Sequence, residues 1–515
     1  MKLIRFLIIF IFCIATLLLA GLATKGAKGN PIDFQNGYDI RVGGPYEGSN
    51  SSSRYALTEA IAKYKTFFLN LDEAKFAAPD VVDYKGKFIT IFTPGVSLIG
   101  VPFYMLGKMI GLPQLISYIS MTLFGIINVF LIARLAHKFG AGLYASLISG
   151  FIYLFATNSL AYSITYTQHQ LSVTLILLGL FNASGSRTFW KNIIFGLLIG
   201  LGLLVDLPNL ILMAPIGSYI LFKNFSRDVV GEKIKFSIKL GIVGLLIGLI
   251  PLAGLFAWYN YQTTGSYAKM GQTIGRTKLF RNNAPQGRSA DMAENQNNNI
   301  YDIKIGLRLP FNSRSQLNGL YTLLISNERS WLYYSPVVLL GILGIYQALK
   351  AKNDKLQSLI VVALAVVLID VVAYSMFGDP WGGWAFGPRY LIPAASIICS
   401  FLGVALQKNR RNIIFILIFL VLTGYSLYIN AGGALTTNLI PPKVESVNLP
   451  QSIPYTYKYN FELLAANRNS SLIYNAYLSN KLPAKTFVLI YSCIGMFIVS
   501  LFLASLEIEK GKKES

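Results

Sequence analysis

Between Met376 and Pro393 the chain reads Met-Phe-Gly-Asp-Pro-Trp-Gly-Gly-Trp-Ala-Phe-Gly-Pro-Arg-Tyr-Leu-Ile-Pro, a density of glycine, tryptophan and proline that could build a binding site. The glycines let the backbone approach a ligand closely, and Trp381 and Trp384 can stack on a sugar or sit in an interfacial belt. Arg389 follows the rigid Gly387-Pro388 pair at the mouth of an apolar run, where its guanidinium could hold a phosphate in a bidentate fork. Snorkelling to lipid headgroups is the plainer alternative for it. Asp206, Asp370 and His169 lie in or beside other apolar runs, where an ionisable group is expensive to bury. Two acids and an imidazole at one depth could bind a divalent cation or a hydroxyl acceptor, or each could be a satisfied structural hydrogen-bonder.

The elements that must position these residues are membrane helices. The chain is 54% apolar and 13% charged, where soluble domains carry about 25% charged residues. Its apolar runs recur at roughly the 20 residues that a span requires. The net charge of +22 raises nucleic acid as a partner, but most basic residues flank apolar runs, where they set topology. Nucleic acid is therefore not expected. Cys13, Cys399 and Cys493 each lie inside an apolar run without metal-ligand spacing. Lys2 and Arg5 precede the run from Phe6 to Ala23, which is long for a signal-peptide core and reads as a retained first helix.

Basic clusters recur at Arg134/Lys138, Arg187/Lys191, Lys223 to Lys239, Lys350/Lys352/Lys355, Lys408/Arg410/Arg411 and Lys510/Lys512/Lys513. Placing them on the cytoplasmic side leaves Asp206-Leu207-Pro208-Asn209 as an outer turn. The apolar piece from Val96 to Ile110 then lies at the outer surface without crossing. The expectation is an all-α polytopic membrane protein with about twelve spans and both termini cytoplasmic. Residues 1–23 form the first span and 24–113 the first extracytoplasmic segment. Residues 114–260 hold spans two to seven and 261–330 a second outer segment, of which Arg281–Ile300 reads as a mobile loop. Residues 331–429 carry spans eight to eleven with the outer Trp/Gly-Pro-Arg loop. Residues 430–485 form a third outer segment, and 486–515 the last span and a basic tail. Such long outer segments suit a membrane enzyme, whose site faces water above the bundle. Twelve helices with a basic central loop would also suit a transporter or lipid flippase, which places its polar residues nearer the midplane.

In the first outer segment Leu57, Ala60, Ile61, Tyr64 and Phe68 share one helical face, with Ser51-Ser52-Ser53 as N-cap candidates. This predicts an amphipathic helix on the membrane surface, with Arg54, Glu59, Lys63 and Lys65 towards water. Between Lys269 and Arg329 the second segment carries nine Lys/Arg against four Asp/Glu, an excess suited to an anionic headgroup.

The run Ser51-Ser52-Ser53-Arg54-Tyr55-Ala56 resembles the start of the first periplasmic loop in large membrane-embedded glycosyltransferases of the GT-C superfamily. That superfamily includes protein O-mannosyltransferases and lipid A aminoarabinose transferases. Tyr84-Lys85-Gly86-Lys87-Phe88, Thr93-Pro94-Gly95-Val96-Ser97-Leu98 and Val101-Pro102-Phe103-Tyr104 resemble the second half of that loop. Leu332-Tyr333-Tyr334-Ser335-Pro336 and Gly387-Pro388-Arg389-Tyr390-Leu391-Ile392-Pro393 are similar to elements of bacterial members. The resemblance implies a GT-C-like fold in a plasma membrane. It also implies a polyprenyl-phosphate-sugar donor, membrane lipids as neighbours and an extracytoplasmic acceptor. The sugar's transfer needs a carboxylate to orient or deprotonate the acceptor and cations to stabilise the leaving phosphate. Where the family often has an acidic pair before Arg-Tyr-Ala, this chain has Ser51 and Ser52. An inactive relative acting as a scaffold would explain that departure too. Asp33, Asp39, Glu47, Glu59, Asp80 and Asp83 lie in the same loop. Asp39 is the first choice of base, from its Gly-flanked polar setting, with Glu59 and Asp83 also carried as catalytic candidates. Arg54, Lys87, Arg329 and Arg389 are the candidates for the donor phosphate. His169, Asp206, Asp370, Trp381 and Trp384 are those for the acceptor or sugar.

Overall fold

The computed structural model describes residues 2–26, 43–230, 233–238, 241–274, 311, 313, 316–350, 354–449 and 453–508. Asp33, Asp39 and the Arg281–Ile300 segment lie outside the described residues. The chain is a polytopic membrane protein built mainly of helices. Among the described residues seven helices are long and apolar enough to cross a bilayer: Phe6–Ala23, Pro113–Lys138, Gly241–Thr264, Asp354–Ser375, Arg389–Asn409, Ile413–Ala434 and Ala484–Leu506. Twelve crossings would also require Leu143–Phe155, His169–Ala183, Phe189–Val205, Pro208–Asn224 and Pro336–Leu349 to span. The first four of these have 13, 15, 17 and 17 residues. At 1.5 Å per residue each is shorter than a hydrocarbon core of about 30 Å. By length and composition alone the described residues thus hold seven spans, and the shorter apolar helices are additional to that count.

The face that the basic clusters mark as extracytoplasmic is called outer below. The chain turns there at Asp206 and Leu207, between Phe189–Val205 and Pro208–Asn224. Pro208 opens the second helix, and the Asn209 side-chain amide donates to the Gly202 carbonyl at 3.1 Å. The Gly95–Met109 helix starts against this turn, where a Cβ on Gly95 would stand 2.4 Å from the Leu204 carbonyl. It ends at the start of Pro113–Lys138, so both of its ends face the outer side.

The surface-helix expectation for the first outer segment holds for Lys63 and Lys65, which are exposed, and is overturned for Arg54 and Glu59. Ser49–Glu59 is a helix, but Arg54 is 1% exposed and Glu59 3% exposed. Its N-cap is Gly48, not one of the serines. The serines instead let neighbouring backbone come close. Ser53 Oγ donates to the Asp80 carbonyl at 2.7 Å and lies 2.6 Å from the Thr90 hydroxyl. Ser97 Oγ donates to the Arg54 carbonyl at 2.8 Å. The helix runs into a π-turn, Ala60–Tyr64, and Lys65 stops it in the left-handed region at φ 56°. The same apolar periodicity serves a lipid face or a protein face, and here protein covers its first part, Leu57 and Ala60, while Tyr64 stays exposed.

Two antiparallel hairpins amend the all-α expectation. Val81–Tyr84 pairs with Lys87–Thr90 around a Lys85-Gly86 turn whose φ angles are both positive, as a tight two-residue hairpin needs. Phe225–Val230 pairs with Lys233–Ile238 within the central basic loop.

A buried ion pair ties the first outer segment to the third. Lys25, fully buried, lies 3.7 Å from Glu47 and donates to the carbonyls of Gly43 and Thr436 at 3.0 and 3.1 Å. Glu47 accepts from the backbone of Gly43 and Asn438 at 2.6 and 2.7 Å, and from the Thr437 hydroxyl at 2.5 Å. Burial pulls Lys25 below the usual ammonium range and Glu47 pulls it back up. Lys25→Met takes the cation away from a buried carboxylate, a lesion worth about 3–5 kcal/mol. Thermal unfolding of the purified protein should show that loss, and an unchanged melting temperature would refute the pair's structural role.

Candidate functional site

The site begins with the chain between the short helix Ser159–Ser163 and the helix His169–Ala183. The Tyr162 hydroxyl accepts from the Phe386 backbone N–H at 3.0 Å and lies 3.2 Å from the Phe386 carbonyl, to which it donates. The Met376–Pro393 run is thereby held against this segment. Gly382, Gly383 and Gly387 take φ of +74°, +62° and +62° and coil the run back on itself. A Cβ on Gly382 would stand 2.7 Å from Arg389 Nε, so a larger residue would displace the guanidinium.

Arg389 is half-buried, lies 5.4 Å from the centre of the Tyr390 ring and hydrogen-bonds that side chain. Tyr390 stacks on Tyr374 with centroids 4.3 Å apart and planes 8° from parallel. Arg389 Nε is buried with no hydrogen-bond partner.

Arg54 approaches from the other side. Its Nε donates to Asn50 Oδ1 at 3.2 Å and its Nη1 to the Val205 carbonyl at 3.4 Å, while the guanidinium lies 4.3 Å from the centre of the Phe92 ring. Its Nη2 is buried without a partner. Burial lowers the Arg54 pKa, Asp206 and Asp80 oppose that, and the charge of Arg389 reinforces it.

Asp206 completes the set. The Gln168 side chain hydrogen-bonds its carboxylate, and burial raises its pKa against the pull of Arg54, Gln168 and Arg389. Protein surrounds it deeply, yet both Asp206 and Arg389 keep some solvent-accessible surface, so they line a recess that is still open. His169 sits beside it, edge-on to Tyr162 at 5.0 Å, with Nε2 buried and unpartnered. Both guanidinium charges reach its ring. The arrangement is a recess with two cations whose N–H groups are not fully used and one carboxylate that feels both of their charges. It can take an anion and hold a hydroxyl beside it.

The other expected residues stand elsewhere. Arg329, fully buried, donates to the carbonyls of Trp381, Glu328, Gly383 and Ile440 at 3.1, 2.7, 3.5 and 2.8 Å. It clamps the loop that carries Arg389 and has little left for a phosphate. Asp370 accepts from the Ala394 N–H at 2.9 Å and caps the helix Ile392–Asn409. Glu59 meets Lys63 at 3.6 Å and the Tyr104 hydroxyl at 3.3 Å, a different set of neighbours from those of the recess. Asp83 accepts from Gly86 N–H at 3.1 Å at the hairpin tip, and Lys87 lies 4.4 Å from the centre of the Phe68 ring. Trp381 gives its carbonyl to Arg329, and Trp384 donates its indole N–H to Glu445. Among the described residues no three His, Cys, Asp or Glu side chains stand together to hold a metal ion. Asp206 and His169 thus share the recess while Asp370 serves a helix end.

Tyr162, Gln168, Tyr374 and Phe92 were not legible as site residues. Gln168 alone left a signal, as the polar neighbour of His169 at a helix start.

No protein-family model matches the chain, and no curated protein matches it. Two crystal structures of ArnT from Cupriavidus metallidurans are similar to it at 14% identity. The apo form aligns over 97% of this chain and 76% of its own, with a TM-score of 0.48. The form bound to undecaprenyl phosphate aligns over 97% and 77%, with a TM-score of 0.47.

The geometry separates Arg389, on the Met376–Pro393 loop, from Arg329, which clamps that loop, by role. Arg329→Lys replaces a planar fork on four carbonyls by a point charge and should cost about 2–4 kcal/mol of stability. Arg389→Lys should leave thermal unfolding within about 1 kcal/mol of the parent while weakening anion binding. Unfolding curves of both variants, measured side by side, check the assignment.

Proposed function

We propose that this protein transfers a sugar from a polyprenyl-phosphate-linked donor to a hydroxyl of an extracytoplasmic acceptor. The observation that carries the reading is the open recess at the outer ends of the helices, with Arg54 and Arg389 facing one carboxylate, Asp206. A carrier lipid stays in the bilayer and presents its phosphate at the headgroup level, where this recess lies under the assigned topology. The GT-C resemblance of the loop motifs supports the same chemistry.

In the reaction the acceptor oxygen forms a bond to the anomeric carbon. The bond from that carbon to the phosphate oxygen breaks, and its electron pair leaves on the lipid phosphate. Arg389 and Arg54 stabilise the charge that develops there, as preorganised donors in a partly dry site. The acceptor's hydroxyl proton passes to Asp206. Because burial raises its pKa, Asp206 is a stronger base than a solvated carboxylate. His169 and Gln168 orient the acceptor and the carboxylate.

Transfer of radiolabelled sugar from polyprenyl-phosphate donors by the purified protein in lipid tests the reading. Arg389→Ala should lower kcat about 10²–10³-fold. Asp206→Asn should lower it about 10²–10⁴-fold. If Asp39→Asn abolishes turnover while Asp206→Asn leaves it intact, the base is Asp39. Absence of turnover with every donor, from folded protein and a mixed acceptor pool, would overturn the enzyme reading.

The pH profile follows from the sign of the shift. The base works when deprotonated, so activity falls as pH drops through the raised pKa of Asp206. The acid limb of kcat/KM should therefore lie above the ordinary carboxylate value of about 3.9. A limb at or below that value would exclude Asp206 as the base.

A further inference from the structure

At the opposite end of the bundle from the recess lies a cavity of about 370 Å³ lined by Gly140, Gln407, Lys408, Arg410 and Arg411. Arg389 and Lys408 stand at the two ends of one apolar helical stretch, Arg389–Asn409. With 21 residues at 1.5 Å each, roughly 30 Å separates recess and cavity. The cavity volume falls within the range of about 300–1,000 Å³ typical of small-ligand sites.

The walls are fixed. Phe139 stacks on Phe401 with centroids 4.6 Å apart and planes 7° from parallel, which pins the end of Pro113–Lys138 to Ile392–Asn409. Gln407 Oε1 accepts from the Gly142 N–H at 3.3 Å, joining the next helix as well. Arg410 and Arg411 sit on a short turn closed by Asn412, whose Oδ1 accepts from the N–H groups of Ile414 and Phe415 at 3.1 and 3.2 Å. Among the described residues no carboxylate pairs with Lys408, Arg410 or Arg411. Immediately after them Ile413 and Ile414 are 68% and 67% exposed. Apolar side chains that exposed, one residue from two arginines, mark the boundary between acyl chains and headgroups.

We infer that this cavity binds the headgroup of an anionic phospholipid. Its phosphate would meet Lys408, Arg410 and Arg411 while the acyl chains run down the exposed face that begins at Ile413. Basic residues at this end also fit a purely topological role. Topology needs charge alone, whereas the structure adds an open cleft, a turn closed by Asn412 and a lipid-facing flank. The inference is independent of the proposed transfer reaction.

The test compares the parent protein with the combined variant Lys408→Gln, Arg410→Gln and Arg411→Gln. A matched control, Lys223→Gln, Lys350→Gln and Lys355→Gln, removes three basic residues elsewhere. Each is reconstituted in phosphatidylcholine nanodiscs containing labelled phosphatidylglycerol, delipidated stepwise, and weighed by native mass spectrometry. The cavity variant should retain phosphatidylglycerol roughly 10–100-fold less well than the parent, with the control unchanged. Equal loss in both variants, or none in either, would overturn the inference. Displacement of the labelled lipid by free glycerol phosphate at stoichiometric concentration would likewise overturn it, since the site would then serve a soluble anion. Should the triple variant fail to fold, the single exposed reversal Arg411→Glu gives the same comparison with the same two outcomes.

Discussion

The burial of Arg54 is the constraint on which the outer half of the molecule depends. A guanidinium brought out of water loses solvation worth several kcal/mol, and the interior must answer it with acceptors and opposite charge. Here the answer comes from Asn50 one turn earlier, the Val205 carbonyl, the face of Phe92 and the carboxylate of Asp206. Asn50 lies on Arg54's own helix, Val205 and Asp206 belong to one turn, and Phe92 follows the outer hairpin. Satisfying one side chain therefore fixes the Ser49–Glu59 helix, the Asp206 turn and the chain that follows the outer hairpin relative to one another. The requirement is only partly met, since Nη2 stays without a partner and Arg389 adds a second positive charge nearby. That residual positive charge stands where the proposed donor phosphate would bind.

The same device orders the rest of the outer face. The first outer segment buries apolar side chains such as Tyr46, Tyr55, Leu57, Phe76 and Val81, and buried cations add to this by gathering backbone carbonyls. Arg329 draws in the carbonyls of residues 328, 381, 383 and 440. Lys25 draws in those of residues 43 and 436, with Glu47 balancing its charge. A carbonyl turned inward would otherwise remain unsatisfied, and a charged donor gives a stronger bond than a neutral one. Basic residues in these segments thus divide between structure and binding according to how many of their N–H groups are already used.

That division explains how much could be read from the sequence. Arg389, Asp206 and His169 were legible because ionisable residues at the ends of apolar runs stand out, and the structure brings these three to one recess. Arg54 was legible as a cation but not as a buried one. Its helix has the periodicity of a membrane-surface helix, and periodicity does not say whether lipid or protein covers the apolar face. Arg329 read as a phosphate ligand and Glu47 as one of the loop's candidate carboxylates, because the backbone groups they hold have no sequence signature. Asp370 looked like a second acid for the site, whereas its position one helix away from Ala394 makes it a cap. The helical class was plain from composition. The span count was not, since Leu143–Phe155 and His169–Ala183 are apolar yet short of a bilayer's thickness.

The interleaving of the chain bears on the choice between an enzyme and a carrier. A two-times-six carrier works by rocking one half of the sequence against the other around a central site. In this protein the two halves are stitched across that divide on the outer face. Lys25 bonds Thr436, Ser471 bonds the Leu22 carbonyl, and Glu47 holds residues 437 and 438. Tyr162 clasps both backbone groups of Phe386. Arg54 from the first half and Arg389 from the second meet at the same recess. Rocking would have to break several buried charged hydrogen bonds at once, each worth about 1.5–3 kcal/mol. A catalytic site has the opposite need: its cations must stay where the leaving charge will develop. The stitched outer face meets that need, because the hydrogen bonds that join its two halves also hold the loops that carry Arg54 and Arg389.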